Sequence, residues 1–246
     1  MVAALGGTAR NAATRCSVQT RAPATVAALQ LFRPRLPAEE ELARLAAVRD
    51  EHPEYAAQIL RQGEQLAALA AAGCLDELAQ ISLACREGEL LAWSCARAFK
   101  AACTNGRVAV IKFMSENGID RRHPGLRHLI HELIEERAAT DPVLVQVLPL
   151  LVQQCGFDVN GMRRGDGYTP LHIACADSRL LLFKVLVLLG ADVHAIANDN
   201  SLPLSLAQSA AARASAAVDV VAAGEMCAFL RKLGAQDRVR HLSYAG

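Results

Sequence analysis

Histidine and carboxylate crowd one stretch of this 246-residue chain: His123, His128, His131, Glu132 and Glu135. Imidazole and carboxylate are zinc ligands, and His128 and His131 share a face if the segment is helical. A catalytic zinc helix carries H-E-x-x-H, whose second His completes the site. Here His131-Glu132 is followed by Leu133, Ile134 and Glu135, so that second His is missing. The stretch reads as an exposed or hydrogen-bonded helix face, and no metal is expected. Cys175, three residues after His172, is the second arrangement with chemical content. A thiol nucleophile needs a base and a group that orients the base. Cys175 stands in the small apolar run Ile173-Ala174-Cys175 and reads as core. No P-loop, no G-x-G-x-x-G and no G-x-S-x-G occurs, and Gly6-Gly7 is an isolated pair. No catalytic, cofactor-binding or metal-binding residue is assigned, no cofactor is expected, and the chain is not expected to be an enzyme.

Two arginine doublets remain, Arg121-Arg122 and Arg163-Arg164. They suit phosphate, but no aromatic platform for bases accompanies them. An acidic protein surface is the better partner for them, plain solvation is the alternative, and nucleic acid is expected only within a larger complex.

The elements that hold these residues follow from composition. Apolar residues make up 52% of the chain and aromatics only 4%. Ala, Leu and Val carry the apolar content; Ala and Leu favour helix, while the strand formers Thr, Tyr and Phe are scarce. An all-α fold follows. A net charge of +1 gives no whole-chain attraction to nucleic acid or to an anionic membrane. The eight cysteines form no C-x-x-C pair and mostly sit among small apolar residues. They read as buried, reduced thiols, which points to an intracellular location, cytoplasm or cytoskeleton. The best apolar run, Leu180 to Leu189, is interrupted by Lys184 and is about half of the roughly 20 residues that span a membrane.

Residues 1–38 differ from the rest. They hold no Asp or Glu and five arginines, Arg10, Arg15, Arg21, Arg33 and Arg35. A mitochondrial transit peptide has this composition. So does a basic arm that lies on an acidic partner. Both readings stay open. Pro37 to Glu41 then opens a helix, with carboxylates at the positive end of its dipole. Leu42, Leu45, Ala46 and Val48 form its stripe, and Pro53-Glu54 starts a second helix. Residues 39–62 are expected to be a helical cap.

Beyond them the chain repeats. Asp166-Gly-Tyr-Thr-Pro-Leu-His-Ile-Ala174 returns as Asp199-Asn-Ser-Leu-Pro-Leu-Ser-Leu-Ala207, a shift of 33. Gly156-Phe-Asp-Val-Asn160 returns as Gly190-Ala-Asp-Val-His194, a shift of 34, and Gly73 to Gly106 is again 33. A third G-x-D ending stands at Gly118-Ile119-Asp120. Thr169-Pro170-Leu171-His172-Ile173-Ala174 fits T-P-L-H-x-A, the ankyrin signature. The chain therefore resembles the ankyrin-repeat family over about residues 63–240, with a tail at 241–246.

The resemblance implies an ankyrin-repeat solenoid of about five helix-turn-helix repeats, near 63–96, 97–123, 124–160, 161–194 and 195–238, with an N-terminal helical cap and a basic N-terminal extension. Thr169 is expected to cap its helix, Leu171 to enter the core, His172 to bridge to a neighbouring loop and Gly190 to end a helix in a left-handed conformation. The third repeat is stretched, with an enlarged turn at Ala138–Pro142. Pro149 is expected to kink or shorten its second helix. The fifth carries about 11 extra residues between Gly190 and Gly234, which lengthen its helices or bulge between them.

Ankyrin stacks bind proteins through loop fingers and the concave face of first helices. Carried onto this chain, the fingers give Asp120, Arg121, Arg122, Met162, Arg163, Arg164, Asp166, Ile196, Asn198, Asp199 and Asn200. First helices give Lys100, Thr104, Asn105, Asp177 and Arg179. The implied function is a non-enzymatic scaffold or adaptor. The alternative is a fixed subunit of a large cytoskeletal, axonemal or mitochondrial ribonucleoprotein assembly, anchored by its basic arm. Trp93 reads as packing.

Overall fold

The computed structural model describes residues 38–51, 53–84, 92–135, 141–215 and 217–235. The basic extension, Cys16, Cys85 and the C-terminal tail lie outside the described residues, as do the Leu42, Leu45 and Val48 side chains. All regular structure in the described residues is helical, with no strand among them. They divide into two compact units at Pro124–Gly125.

Unit one holds α1 (Ala38–Glu51), α2 (Pro53–Ala72), α3 (Leu75–Ala84), α4 (Ala92–Thr104) and α5 (Val108–Glu116). The boundary drawn at residue 62 falls inside α2, which runs unbroken for 20 residues. Its second half packs as a first helix against α4, and α3 turns back as its second. The pairing with α4 is close. A Cβ on Gly63 would stand 2.2 Å from Ser94 Oγ, so only glycine fits there. Leu66, Ala70, Phe99, Ala102, Ile111 and Met114 fill the core at full burial.

Unit two holds α6 (Leu129–Glu135), α7 (Asp141–Pro149), α8 (Pro170–Ala176), α9 (Leu180–Leu188), α10 (Pro203–Arg213) and α11 (Ala217–Lys232). First helices α6, α8 and α10 touch in succession, and second helices α7, α9 and α11 do the same. Two layers result, three helix pairs long. No pair buries its apolar face alone, so each depends on its neighbour. That is why Pro170 to Cys175 of α8 are all buried, flanked as they are on both sides.

Departures from the plain repeat have local causes. Pro149 has no N–H for the α ladder. The α helix ends there, and Leu150–Gln154 continue as a wider π turn closed by Cys155 N–H to the Leu150 carbonyl at 2.9 Å. The extra residues of the last repeat lengthen its helices. Helix α10 has 11 residues against 7 in α8, and α11 has 16 against 9 in α9. The cysteines Cys74, Cys95, Cys103, Cys155, Cys175 and Cys227 are buried thiols.

In three of the helix pairs the turn between first and second helix passes through a left-handed residue. It is Gly73 (φ 83), Gly106 (φ 65) and, unusually, Ser178 (φ 56). The arginine after the last two reaches back one helix pair. Arg107 Nε donates to the Ala71 carbonyl at 2.8 Å, and Arg179 Nη1 to the Ile134 carbonyl at 2.9 Å.

Candidate partner-binding fingers

Two fingers project from unit two, at residues 158–169 and 192–202, and both are built from Asp and Asn side chains that fold onto their own backbone. Asp158 accepts the Asn160 N–H and Asp192 the His194 N–H, each at 2.8 Å. Asp166 accepts the Tyr168 N–H at 3.1 Å and Asp199 the Ser201 N–H at 2.9 Å. In unit one Asp120 accepts the Arg122 N–H at 2.9 Å in the same way. The recurring G-x-D endings are thus recurring side-chain turns.

Each finger closes at its base. Arg163 N–H donates to the Tyr168 carbonyl at 2.9 Å, and Ala197 N–H to the Ser201 carbonyl at 3.0 Å. A buried histidine from the preceding helix pair meets the same carbonyl. His131 Nε2 lies 3.0 Å from the Tyr168 oxygen and His172 Nε2 lies 3.2 Å from that of Ser201. On the other side of its ring, His172 Nδ1 accepts the Thr169 N–H at 3.2 Å, with the Thr169 hydroxyl 2.8 Å away. An accepting Nδ1 puts the proton on Nε2, which therefore donates to Ser201. Thr169 and His172 so form a capping box at the start of α8. In the last repeat Ser205 takes the local half of that role. Its hydroxyl accepts the Leu202 N–H at 3.0 Å and donates to the Leu202 carbonyl at 2.8 Å.

The histidines of the expected helix face divide in three ways. His131 is the second signature histidine, 3% exposed. His123 is equally buried and meets Trp93 edge to face, ring centroids 4.5 Å apart. His128 is half-buried with its ring 5.9 Å from that of His131. Burial pushes His123, His131 and His172 below the ordinary imidazole value. The carbonyls facing His131 and His172, and Asp120 beside His123, oppose that shift. Sequence reasoning missed the role of His131 because His128-Leu-Ile-His131 lies 41 residues before Thr169-Pro-Leu-His172, and not 33.

The fingers are also tied to each other. Asn160 Oδ1 accepts the Asp192 N–H at 2.8 Å while its Nδ2 donates to the Gly190 carbonyl at 3.1 Å. Asn198 donates its N–H to the Asp166 carbonyl and its Nδ2 to the Gly165 carbonyl, both at 2.8 Å. The Tyr168 hydroxyl donates to Asp199 at 3.0 Å. The Tyr168 ring stacks on that of His172, centroids 5.3 Å apart.

Several expected contact residues are therefore engaged inside the protein. Arg163 pairs with both Glu135 of α6 and Asp166, and its guanidinium lies 5.9 Å from the Tyr168 ring centre. The pairing holds the Asp166 carboxyl down at about 2, with the Tyr168 N–H contributing. Arg179 is the back-reaching tie already described. On α4, the Thr104 hydroxyl donates to the Lys100 carbonyl at 3.0 Å, and Asn105 Nδ2 to the Ala101 carbonyl at 2.8 Å. Others keep their side chains outward. Met162 is 50% and Ile196 44% exposed, at equivalent places on the two fingers. Arg121, Arg122, Arg164, Asp177 and Asn200 are exposed, Asn198 and Asp199 are exposed while bonded to Gly165 and Tyr168, and Lys100 and Asp120 are half-buried.

Nucleophilic chemistry finds no footing at Cys175. The thiol is fully buried, burial raises it well above the ordinary range, and the His172 ring is committed to Thr169 and Ser201. Among the described residues, no three His, Cys, Asp or Glu side chains are grouped to hold a metal ion. No helix among them is long and apolar enough to cross a membrane. A family model for the ankyrin repeat matches residues 166–195, which span the first finger's tip, α8, α9 and the start of the second finger. No curated protein matches the chain.

Proposed function

We propose that this chain, an ankyrin-repeat protein, is a non-enzymatic scaffold or adaptor that grips a protein partner with the tips of its two fingers. One observation carries the reading. Each finger is fixed by hydrogen bonds to its neighbour and to a buried histidine, yet presents an apolar side chain, Met162 or Ile196, to solvent. A preordered loop loses little entropy on binding, and exposed apolar anchors ringed by polar groups suit an interface centre. Arg164, exposed on the first finger, favours a partner with an acidic surface.

The test compares the full chain with a Met162→Asp/Ile196→Asp variant. Proteins retained from a cell extract should be lost by the variant while its melting temperature stays the same. Retention of the same proteins by both would end the reading.

A second reading rests on the acid-free residues 1–38. In it the chain is a fixed subunit of a cytoskeletal or mitochondrial ribonucleoprotein assembly, held by that arm. An adaptor exchanges with free chain, whereas a fixed subunit stays bound at high salt. Our proposed location is intracellular, in cytoplasm or cytoskeleton, with the mitochondrion as the alternative. Localising the tagged chain with and without residues 1–38 separates these, since organelle import lost on truncation belongs to a transit peptide.

A further inference from the structure

Among the described residues, one sulfur-bearing side chain is exposed. The described cysteines are all buried, at most 9% exposed, and burial pushes the Cys175 thiol up besides. A thiol reacts through its thiolate, so apolar burial leaves these inert. Met114 and Met226 lie in the cores of units one and two at 0% exposure. Met162, at the first finger, is half exposed. Its thioether is therefore the described sulfur that an oxidant in solution reaches. The finger around it is held by other residues. Arg163 N–H closes it on the Tyr168 carbonyl, Asp158 and Asp166 fold onto the Asn160 and Tyr168 N–H groups, and Asn198 ties it to the second finger. Ile196, at the equivalent place on the second finger, is apolar but holds no sulfur. The two anchors thus differ in one chemical respect.

We propose that Met162 is a modification site at which a peroxide reversibly weakens the grip proposed above, the reading on which this inference rests. The sulfur lone pair attacks one peroxide oxygen. An S–O bond forms as the O–O bond breaks, and the sulfur gives up two electrons to the peroxide. The proton on the transferred oxygen passes to the departing hydroxide, so hydrogen peroxide leaves as water. The product is methionine sulfoxide, polar where the thioether was apolar. At an interface centre shaped for an apolar anchor, the sulfoxide oxygen is stripped of water without a donor to replace it, and affinity falls. Ile196 is untouched, so the loss is partial, about tenfold. Methionine sulfoxide reductase, with a dithiol as reductant, returns the thioether: the oxygen leaves as water and the dithiol becomes a disulfide. The bonds that frame the finger do not involve the thioether, so the fold is indifferent to its oxidation.

Hydrogen peroxide treatment of the full chain, followed by peptide mass spectrometry, reads the chemistry without any partner. The peptide holding Met162 should gain one oxygen while those of Met114 and Met226 stay unmodified, and the melting temperature should not move. Met114 or Met226 oxidised as readily as Met162 overturns the proposal. Titrated retention of proteins from a cell extract reads the consequence. Wild type should hold them about tenfold more weakly after peroxide and recover with the reductase. Met162→Leu, compared with itself before and after peroxide, should not change, which separates Met162 from Met1 and from the cysteines. A loss that the reductase does not reverse, or that Met162→Leu shares, places the effect at another residue and overturns the proposal. Oxidised wild type that retains as well as untreated chain, while Met162→Asp/Ile196→Asp retains nothing, overturns the switch and leaves the grip standing. Retention that survives both treatments ends the grip, and the switch with it.

Discussion

Arg107 and Arg179 do the same thing 72 residues apart: each follows a left-handed turn residue and donates to a carbonyl near the end of the preceding first helix, Ala71 or Ile134. The last carbonyls of a helix have no partner within it. A guanidinium from the next helix pair supplies one here. Arg179→Ala should therefore lower stability by about 2 kcal/mol. Arg107→Ala should cost less, because that side chain is exposed. Urea unfolding of the two variants checks the order, and equal midpoints would contradict it.

Acid should loosen the protein before its carboxylates protonate. Burial holds His123, His131 and His172 below 6.5, so the folded protein keeps them neutral where the unfolded chain begins to take up protons. The unfolded state then binds more protons, and stability falls as the pH drops through about 6.5. Each imidazole contributes at most about 1.4 kcal/mol per pH unit. Asp166 acts lower, losing its contribution as the pH falls from 3.8 toward about 2. Thermal melts between pH 8 and pH 2 should show both stages. His172→Gln keeps a donor and an acceptor but does not titrate, and should lessen the first stage, leaving His123 and His131 to carry the rest.

Gly167→Ala and Gly165→Ala separate strain from contact. Both backbones have positive φ, 73° and 107°. A Cβ on Gly167 would stand 2.7 Å from Asn198 Oδ1 and 3.0 Å from its backbone nitrogen, whereas Gly165 has open space. Each substitution strains the backbone by about 1–2 kcal/mol. Only Gly167→Ala also pushes the second finger away. Amide exchange at Asn198 should accelerate in that variant alone.

Ser178 holds at φ 56 a turn that Gly73 and Gly106 make without strain. Ser178→Gly should stabilise by up to about 1 kcal/mol, the relief of left-handed strain less the added freedom of the unfolded chain. A melting temperature below that of wild type would show that the Ser178 side chain contributes more than its backbone costs.

The signature of the fourth repeat was readable because Thr169, Pro170, Leu171 and His172 each answer a local demand: a cap, a position without an N–H, a core side chain and a bridging imidazole. The histidine face was read as exposed or hydrogen-bonded. His131 proved hydrogen-bonded but buried, a second bridge hidden by the stretched third repeat. Asn160, Asn198 and Arg179 were harder. Their hydrogen bonds cross from one repeat to the next, between residues 30 to 45 positions apart. No pattern within a single repeat distinguishes such a tie from a solvated side chain. Arg163 shows the same limit. It stands next to Arg164 in the sequence, yet Glu135 and Asp166 hold one while the other faces solvent.

The longer helices of the last repeat bear on how such a chain tolerates growth. Relative to α8 and α9, α10 gains four residues and α11 gains seven. Both helices keep the ends that match the preceding repeat: Pro203 opens α10 as Pro170 opens α8, and Gly234 follows α11 as Gly190 follows α9. The added turns therefore lie at the junction of α10 with α11, beyond the stretches that meet α8 and α9. Growth placed there leaves the azimuth of each inward stripe unchanged, whatever the number of residues added.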